Sequence, residues 1–173
     1  METLEKKPLY DAEAVRPLRE ELVRVGAREL LTPEEVRETL EAPGTTLVIV
    51  NSICGCAARG ARPGAMLALQ HRVIPDRIAT VFAGMEREAT DEARSYFTGY
   101  PPSSPSIALL KDGEPVAMLE RRDIEGKKAE EIASRLAEIF DQHCARPGPS
   151  IPREEFEAIV PVRKCGPQIP KVG

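Results

Sequence analysis

Thr45-Thr46-Leu47-Val48-Ile49-Val50 runs straight into Asn51-Ser52-Ile53-Cys54-Gly55-Cys56, and the reading of this stretch decides the fold. A β-branched, apolar run without polar alternation describes a strand buried on both faces, as in the interior of a parallel sheet covered by helices. Two cysteines at its end sit where ligands and chemistry collect in open α/β sheets, at the carboxyl ends of strands.

Outward from this strand, helical and extended patterns alternate. Before it, residues 12–25 carry Ala14, Val15, Leu18, Leu22 and Val25 at helical spacing, with Gly26 as a stop. Ala27 to Leu31 reads as a short strand. Thr32-Pro33-Glu34-Glu35 then opens a helix, with Thr32 as cap, Pro33 at the first helical position and Glu35 completing a capping box. After the cysteines a helix runs through Met66, Leu67 and Leu69. Ile78 to Phe82 is a second core strand, and Glu86 to Phe97 a helix. Ser106 to Lys111 and Pro115 to Glu120 are strands joined at Asp112-Gly113, a hairpin signal. A last helix carries Ala129, Ile132, Ala133, Leu136, Ile139 and Phe140 on one face. The order, a helix followed by βαβαβαββα, predicts an α/β fold: a parallel sheet with an antiparallel edge, flanked by helices. Residues 1–145 form this domain. Residues 146–173 form a proline-rich extension, expected to lie on the domain or remain partly disordered, with one helical turn around Phe156, Ile159 and Val160.

Composition narrows the function classes. The chain has 173 residues, enough to bury a core without disulfide staples. A net charge of −4 and a pI near 5.4 give no overall pull toward nucleic acid or an anionic membrane. No apolar run follows Met1-Glu2-Thr3-Leu4-Glu5-Lys6-Lys7, so no secretory signal is expected, and no stretch approaches the length of a membrane span. The expected location is the cytoplasm, where thiols are kept reduced and close cysteine pairs serve catalysis or metal binding.

A helix starting at the pair would point its free amides at Cys54 and favour a nucleophilic thiolate, with Arg59 and Arg62 adding positive potential. A helix starting only at Pro63 would leave Cys54 a turn too early. Cys56 is placed to resolve a mixed disulfide formed at Cys54. The bridge between residues i and i+2 closes a small ring, for which Gly55 is the best intervening residue. Such a bridge is expected to be strained and more oxidising than a relaxed C-x-x-C pair. Pro105 opens an apolar strand, and a cis Ser104–Pro105 bond would aim the Ser104 backbone at the cysteines, ready to pair with an extended substrate.

Asn51-Ser52-Ile53-Cys54-Gly55-Cys56-Ala57-Ala58 with Ala61-Arg62-Pro63, Val81-Phe82-Ala83-Gly84 with Glu88-Ala89-Thr90, and Pro102-Ser103-Ser104-Pro105-Ser106 together resemble the bacilliredoxins, over residues 10–145. The resemblance implies a thioredoxin-like fold and removal of bacillithiol from mixed disulfides on cytosolic proteins. It implies that Cys54 attacks and takes the low-molecular-weight thiol, that Cys56 resolves, and that Pro105 is the cis-proline. No cofactor is called for beyond bacillithiol or a similar thiol as co-substrate, and the partners are S-thiolated cytosolic proteins.

Other features weigh less. Gly55, Arg62, Ser104 and Pro105 are the candidate substrate-binding residues, Arg62 as holder of a substrate carboxylate or, equally, as a structural ion pair. Cys144, after His143, reads as a partly buried structural residue. Cys165-Gly166-Pro167 lies in the tail, from which it could reach Cys54 or another chain. His71 reads as a solvated helix end and Arg121-Arg122 as a solvated surface cluster. No metal is expected, although Cys54, Cys56, His143 and Cys144 are types zinc accepts. Two rival readings stay open: a protein disulfide isomerase or general disulfide reductase, and, in another class, a metal or iron–sulfur binding module.

Overall fold

The computed structural model describes residues 5–172; the leader reading at Met1–Leu4 lies outside the described residues. Strand β2 (Thr45–Asn51) is the axis of the molecule, with all its residues buried. It pairs in parallel with β4 (Arg77–Phe82) and antiparallel with β5 (Ser106–Lys111). The short β1 (Arg28–Glu29) adds to the far side of β4, and β6 (Glu114–Leu119) closes the other edge. The sheet order is β1-β4-β2-β5-β6, parallel on one side of β2 and antiparallel on the other.

Both faces of β2 are covered, which is why its sequence shows no alternation. Leu47 and Ile49 face one core, built with α1 (Ala12–Arg24), α3 (Arg62–Ala68) and α6 (Ala129–His143). Val48 and Val50 face the other, built with α2 (Pro33–Leu40) and α4 (Arg87–Ser95). Helices on both faces of a mixed sheet, with the cysteine pair at a strand-to-helix junction, form the α/β, thioredoxin-like architecture.

Local signals act as their chemistry requires. Thr32 Oγ1 caps α2 by accepting from the Glu35 amide at 3.2 Å, while the Glu35 carboxylate reaches past the cap to the Leu31 amide at 2.8 Å. Asp112 and Gly113 both have positive φ, the requirement of a two-residue type I′ hairpin turn. Gly64 lets α3 meet α6 closely: a Cβ there would lie 2.6 Å from Ile132 Cγ2.

A short helix, α5 (Arg121–Ile124), occupies the segment the sequence reads as a surface cluster. It is too brief to carry a periodic signal. The tail lies on the domain. Its first residues form β7 (Arg146–Pro147), antiparallel to β3 (Val73–Ile74). A helical turn, α7 (Arg153–Glu157), brings Phe156 and Ile159 against the first core. Ile169 is then buried in a third cluster with Val15, Leu18, Phe82 and Met85. Among the described residues no helix is long and apolar enough to cross a membrane.

Candidate active site

β2 ends at Asn51, whose side chain organises the turn that follows. Its Nδ2 donates to Leu18 O at 3.1 Å, and its Oδ1 accepts from the Ser52 amide at 2.9 Å. Ser52 Oγ accepts from the Cys54 amide at 3.2 Å. The Cys54 carbonyl then accepts from the amides of Ala57 (3.1 Å) and Ala58 (3.2 Å), so the chain turns helical at once. Helical backbone runs without a break over 55–68.

Pro63 does not delay this start. The stretch Ala57–Ala61 is a π-helical segment, closed by the Arg62 amide on Ala57 O. Its wider turn hands over to α3 at Arg62, so Pro63 falls in the first turn of the new register, where its missing N–H is least costly. Cys54 therefore stands at the beginning of the helix and Cys56 within its first turn, both partly exposed.

Burial is the largest influence on Cys56 and pushes its thiol up. The neighbouring Cys54 adds to this through its charge and a hydrogen bond, as does Glu125, while Arg121 opposes them. Cys56 Sγ donates to Glu125 Oε1 at 3.9 Å. The same oxygen lies 3.7 Å from Arg121 Nη2, and Arg121 Nη1 donates to Ser104 O at 3.4 Å. A polar relay thus connects Cys56 to Ser104. The Ser104–Pro105 bond is cis, and pairing of Val50 with Ser106 sets Ser104 and Pro105 opposite the Asn51-Ser52 turn. Arg121 is thereby part of the site rather than a solvated bystander. Its i,i+4 spacing to Glu125 is visible in the sequence; its approach to Ser104 is not.

Arg62 does not bind substrate. Its side chain is fully buried, with Nε on Glu21 Oε1 at 2.8 Å and Nη1 on Asn51 Oδ1 and Ser52 O at 3.0 and 3.1 Å. It is the structural ion pair. The exposed cation beside the pair is Arg59, whose guanidinium passes Gly55 and, with Lys127, lines a cleft containing Cys56. Gly55 itself is helical, and a Cβ on it would meet only the Arg59 guanidinium, with Nη1 at 3.8 Å and Cζ at 3.9 Å. Nothing in the reduced backbone demands glycine there.

The remaining candidates lie elsewhere. Cys144 approaches Thr45, at the opposite end of β2; burial pushes its thiol up to about 11. Six strand residues, about 20 Å of rise, separate that end from the Cys54 turn. Cys144 and His143 cannot share a zinc ion with Cys54 and Cys56. His71 Nε2 pairs with Asp141 Oδ1 at 2.9 Å on the surface.

The family described as "Disulphide isomerase" matches residues 10–144. Bacilliredoxin GK2368 of Geobacillus kaustophilus is 51% identical over 137 residues, covering 79% of this chain and 94% of that protein. Bacilliredoxin Acid345_1880 of Koribacter versatilis is 49% identical with the same coverage. The chain belongs to the bacilliredoxin family. A bacilliredoxin with this junction of cysteine pair and helix is a thiol–disulfide oxidoreductase. Among solved structures it is similar to a thioredoxin of Malassezia sympodialis, at 12% identity and a TM-score of 0.45, over 68% of this chain and 90% of that one. Mitochondrial thioredoxin 3 of Saccharomyces cerevisiae gives 15% identity and a TM-score of 0.44, over 69% and 97%. The matched family region of this bacilliredoxin stops before the tail.

Proposed function

We propose that this bacilliredoxin removes a low-molecular-weight thiol of bacillithiol type from mixed disulfides on cytosolic proteins. The observation that carries the reading is the placement of two partly exposed cysteines at one strand-to-helix junction, Cys54 at the helix start and Cys56 in its first turn; burial and the neighbouring Cys54 push the Cys56 thiol up. The Cys54 thiolate attacks the sulfur of the small thiol. The disulfide bond between the small thiol's sulfur and the target's cysteine sulfur breaks, and the target leaves as a thiolate. Cys56 then gives up its proton and attacks Cys54 Sγ, forming the Cys54–Cys56 bridge and releasing the small thiol. A dithiol-class reductant returns two electrons to the bridge.

Ser104 and the cis-Pro105 border the cysteines and offer an extended target a backbone edge. Arg59 and Lys127 replace Arg62 as the cations that face a carboxylate of the small thiol. The targets are S-thiolated proteins, with neither nucleic acid nor membrane as partner and no bound cofactor. The test is release of bacillithiol from a bacillithiol-modified protein by the wild type and by Cys54→Ala. Release by the wild type alone supports the reading, and equal release by both overturns it.

A second reading, disulfide isomerase or general disulfide reductase, has the description of the matched family in its favour. Repair of a scrambled disulfide substrate with no preference for small-thiol adducts selects it.

A further inference from the structure

We propose that Cys165, in the tail beyond the family match, is a second resolving cysteine for Cys54; this rests on the reading that Cys54 takes the thiol adduct. The Gly166 amide donates to Ile53 O at 2.7 Å. These two residues are the immediate neighbours of Cys165 and Cys54. An amide nitrogen lies about 2.4 Å from the preceding Cα, and a carbonyl oxygen about 2.8 Å from the following one, so the two cysteine Cα atoms are at most about 8 Å apart. A disulfide needs a Cα separation of up to about 6.8 Å, so the two backbones lie within about 1 Å of bridging distance.

The tail is held there by contacts on both sides of Cys165. Upstream, the Val162 amide donates to Glu21 Oε2 at 3.3 Å, and Val162, like Ile53, packs against the Val15, Leu18, Phe82 and Met85 cluster. Downstream, Ile169 is buried in the Val15, Leu18, Phe82 and Met85 cluster, and the Asp11 amide donates to Pro170 O at 2.9 Å. Between them Gln168 folds back, its Oε1 accepting from the Cys165 amide at 3.1 Å. Cys165 is half-buried in extended backbone at the start of a 3₁₀ turn, Gly166–Gln168. A thiol positioned in this way acts at a millimolar or higher effective concentration.

The step is balanced. Cys165 loses its proton to solvent, and its sulfur attacks Cys54 Sγ in the adduct. The Cys54 bond to the small thiol breaks, and that thiol leaves with the electron pair and takes up a proton. A Cys54–Cys165 disulfide forms without an outside oxidant. Cys56 then loses its proton and attacks Cys54 Sγ, moving the bridge to Cys54–Cys56, and Cys165 leaves as a thiolate that takes up a proton.

The experiment treats reduced Cys56→Ser and Cys56→Ser/Cys165→Ser proteins with glutathione disulfide and follows intact mass and mapped peptides over time. The adduct at Cys54 is expected to decay at least about tenfold faster in the single variant, given the effective concentration of an anchored thiol. Peptides joined through Cys54 and Cys165 should appear as it decays. Ile169→Glu, added to Cys56→Ser, unseats the tail and should lengthen the adduct lifetime toward that of the double variant. Equal lifetimes with and without Cys165, with the adduct on Cys54 in both, overturn the proposal and leave Cys54 as nucleophile. Absence of any adduct on Cys54 overturns both.

Discussion

Arg62 Nε donates to Glu21 Oε1 at 2.8 Å in a place where neither side chain meets solvent. The pair joins three parts of the chain. Arg62 also holds the Asn51-Ser52 turn that leads to the cysteines, and the second oxygen of Glu21 receives the tail through Val162. A buried pair adds little net stability, because desolvating both charges offsets their attraction, but it costs much to break, because removing one partner strands the other charge.

Glu21→Ala should therefore lower the unfolding free energy by about 3–5 kcal/mol, measured by urea denaturation. Replacing both residues with apolar side chains of similar volume should lose much less. A single substitution costing no more than an ordinary surface change would show that the pair is not the tie between helix, turn and tail.

The push on Cys56 has named sources with opposite signs. Glu125 raises its thiol and Arg121 lowers it. Glu125→Gln should move the alkylation profile of Cys56 to lower pH, and Arg121→Gln should move it to higher pH. Peptide-resolved iodoacetamide rates across pH read both. Shifts in the same direction would contradict this electrostatic account.

Cys144 should be irrelevant to exchange, since it lies at the far end of β2. Cys144→Ala is expected to leave thiol release within about twofold of wild type, as for a substitution remote from the chemistry. Its effect should appear in alkaline stability. A thiol raised in the folded state favours folding below its unfolded value and loses that contribution as pH rises through the folded one. The wild type should therefore lose stability between about pH 9 and about pH 11, and the variant should lose less. Thermal melts across that window decide it.

Two glycines should part company. Gly64→Ala forces a methyl to within 2.6 Å of Ile132 Cγ2 and should destabilise by about 1–3 kcal/mol, the usual range for overpacking. Gly55→Ala meets only the Arg59 guanidinium, at 3.8 Å and beyond, and should leave the reduced protein's melting temperature close to wild type. Its effect belongs to oxidation, where the ring through Cys54, Gly55 and Cys56 must close: bridge formation by Cys54 and Cys56 should slow.

Arg59→Gln should raise KM for a carboxylate-bearing small-thiol adduct about 3- to 10-fold, with kcat little changed, because a charge-assisted contact to the non-reacting part of a substrate is uniform binding. Steady-state kinetics with charged and neutral thiol adducts check this. An equal effect on both would remove the carboxylate from the explanation.

Much of the architecture was legible because it is encoded between chain neighbours. An unbroken apolar run marks β2, helical spacing marks α1 and α6, and Asp112-Gly113 marks the hairpin. The cysteine pair and the proline-led strand were equally plain. Less legible were α5, too short to show a period, and the path of the helix past Pro63, which depends on a π-helical turn. Arg62 was ambiguous because a cation near a reactive thiol suits either a substrate or an internal carboxylate. Only the burial of Glu21, forty-one positions away, separates the two.

The sequence alone determined the α/β order, the placing of Cys54 and Cys56 at the end of the central strand, and the family. Backbone sterics and hydrophobic periodicity are local, and they need no knowledge of distant partners. Tertiary structure alone decided that Arg62 faces inward, that Glu125 reaches Cys56 and Arg121 reaches Ser104, and that the tail places Cys165 beside Cys54. Those relationships join segments far apart in the chain. They exist only because packing of the two cores and burial of Ile169 hold the segments in register.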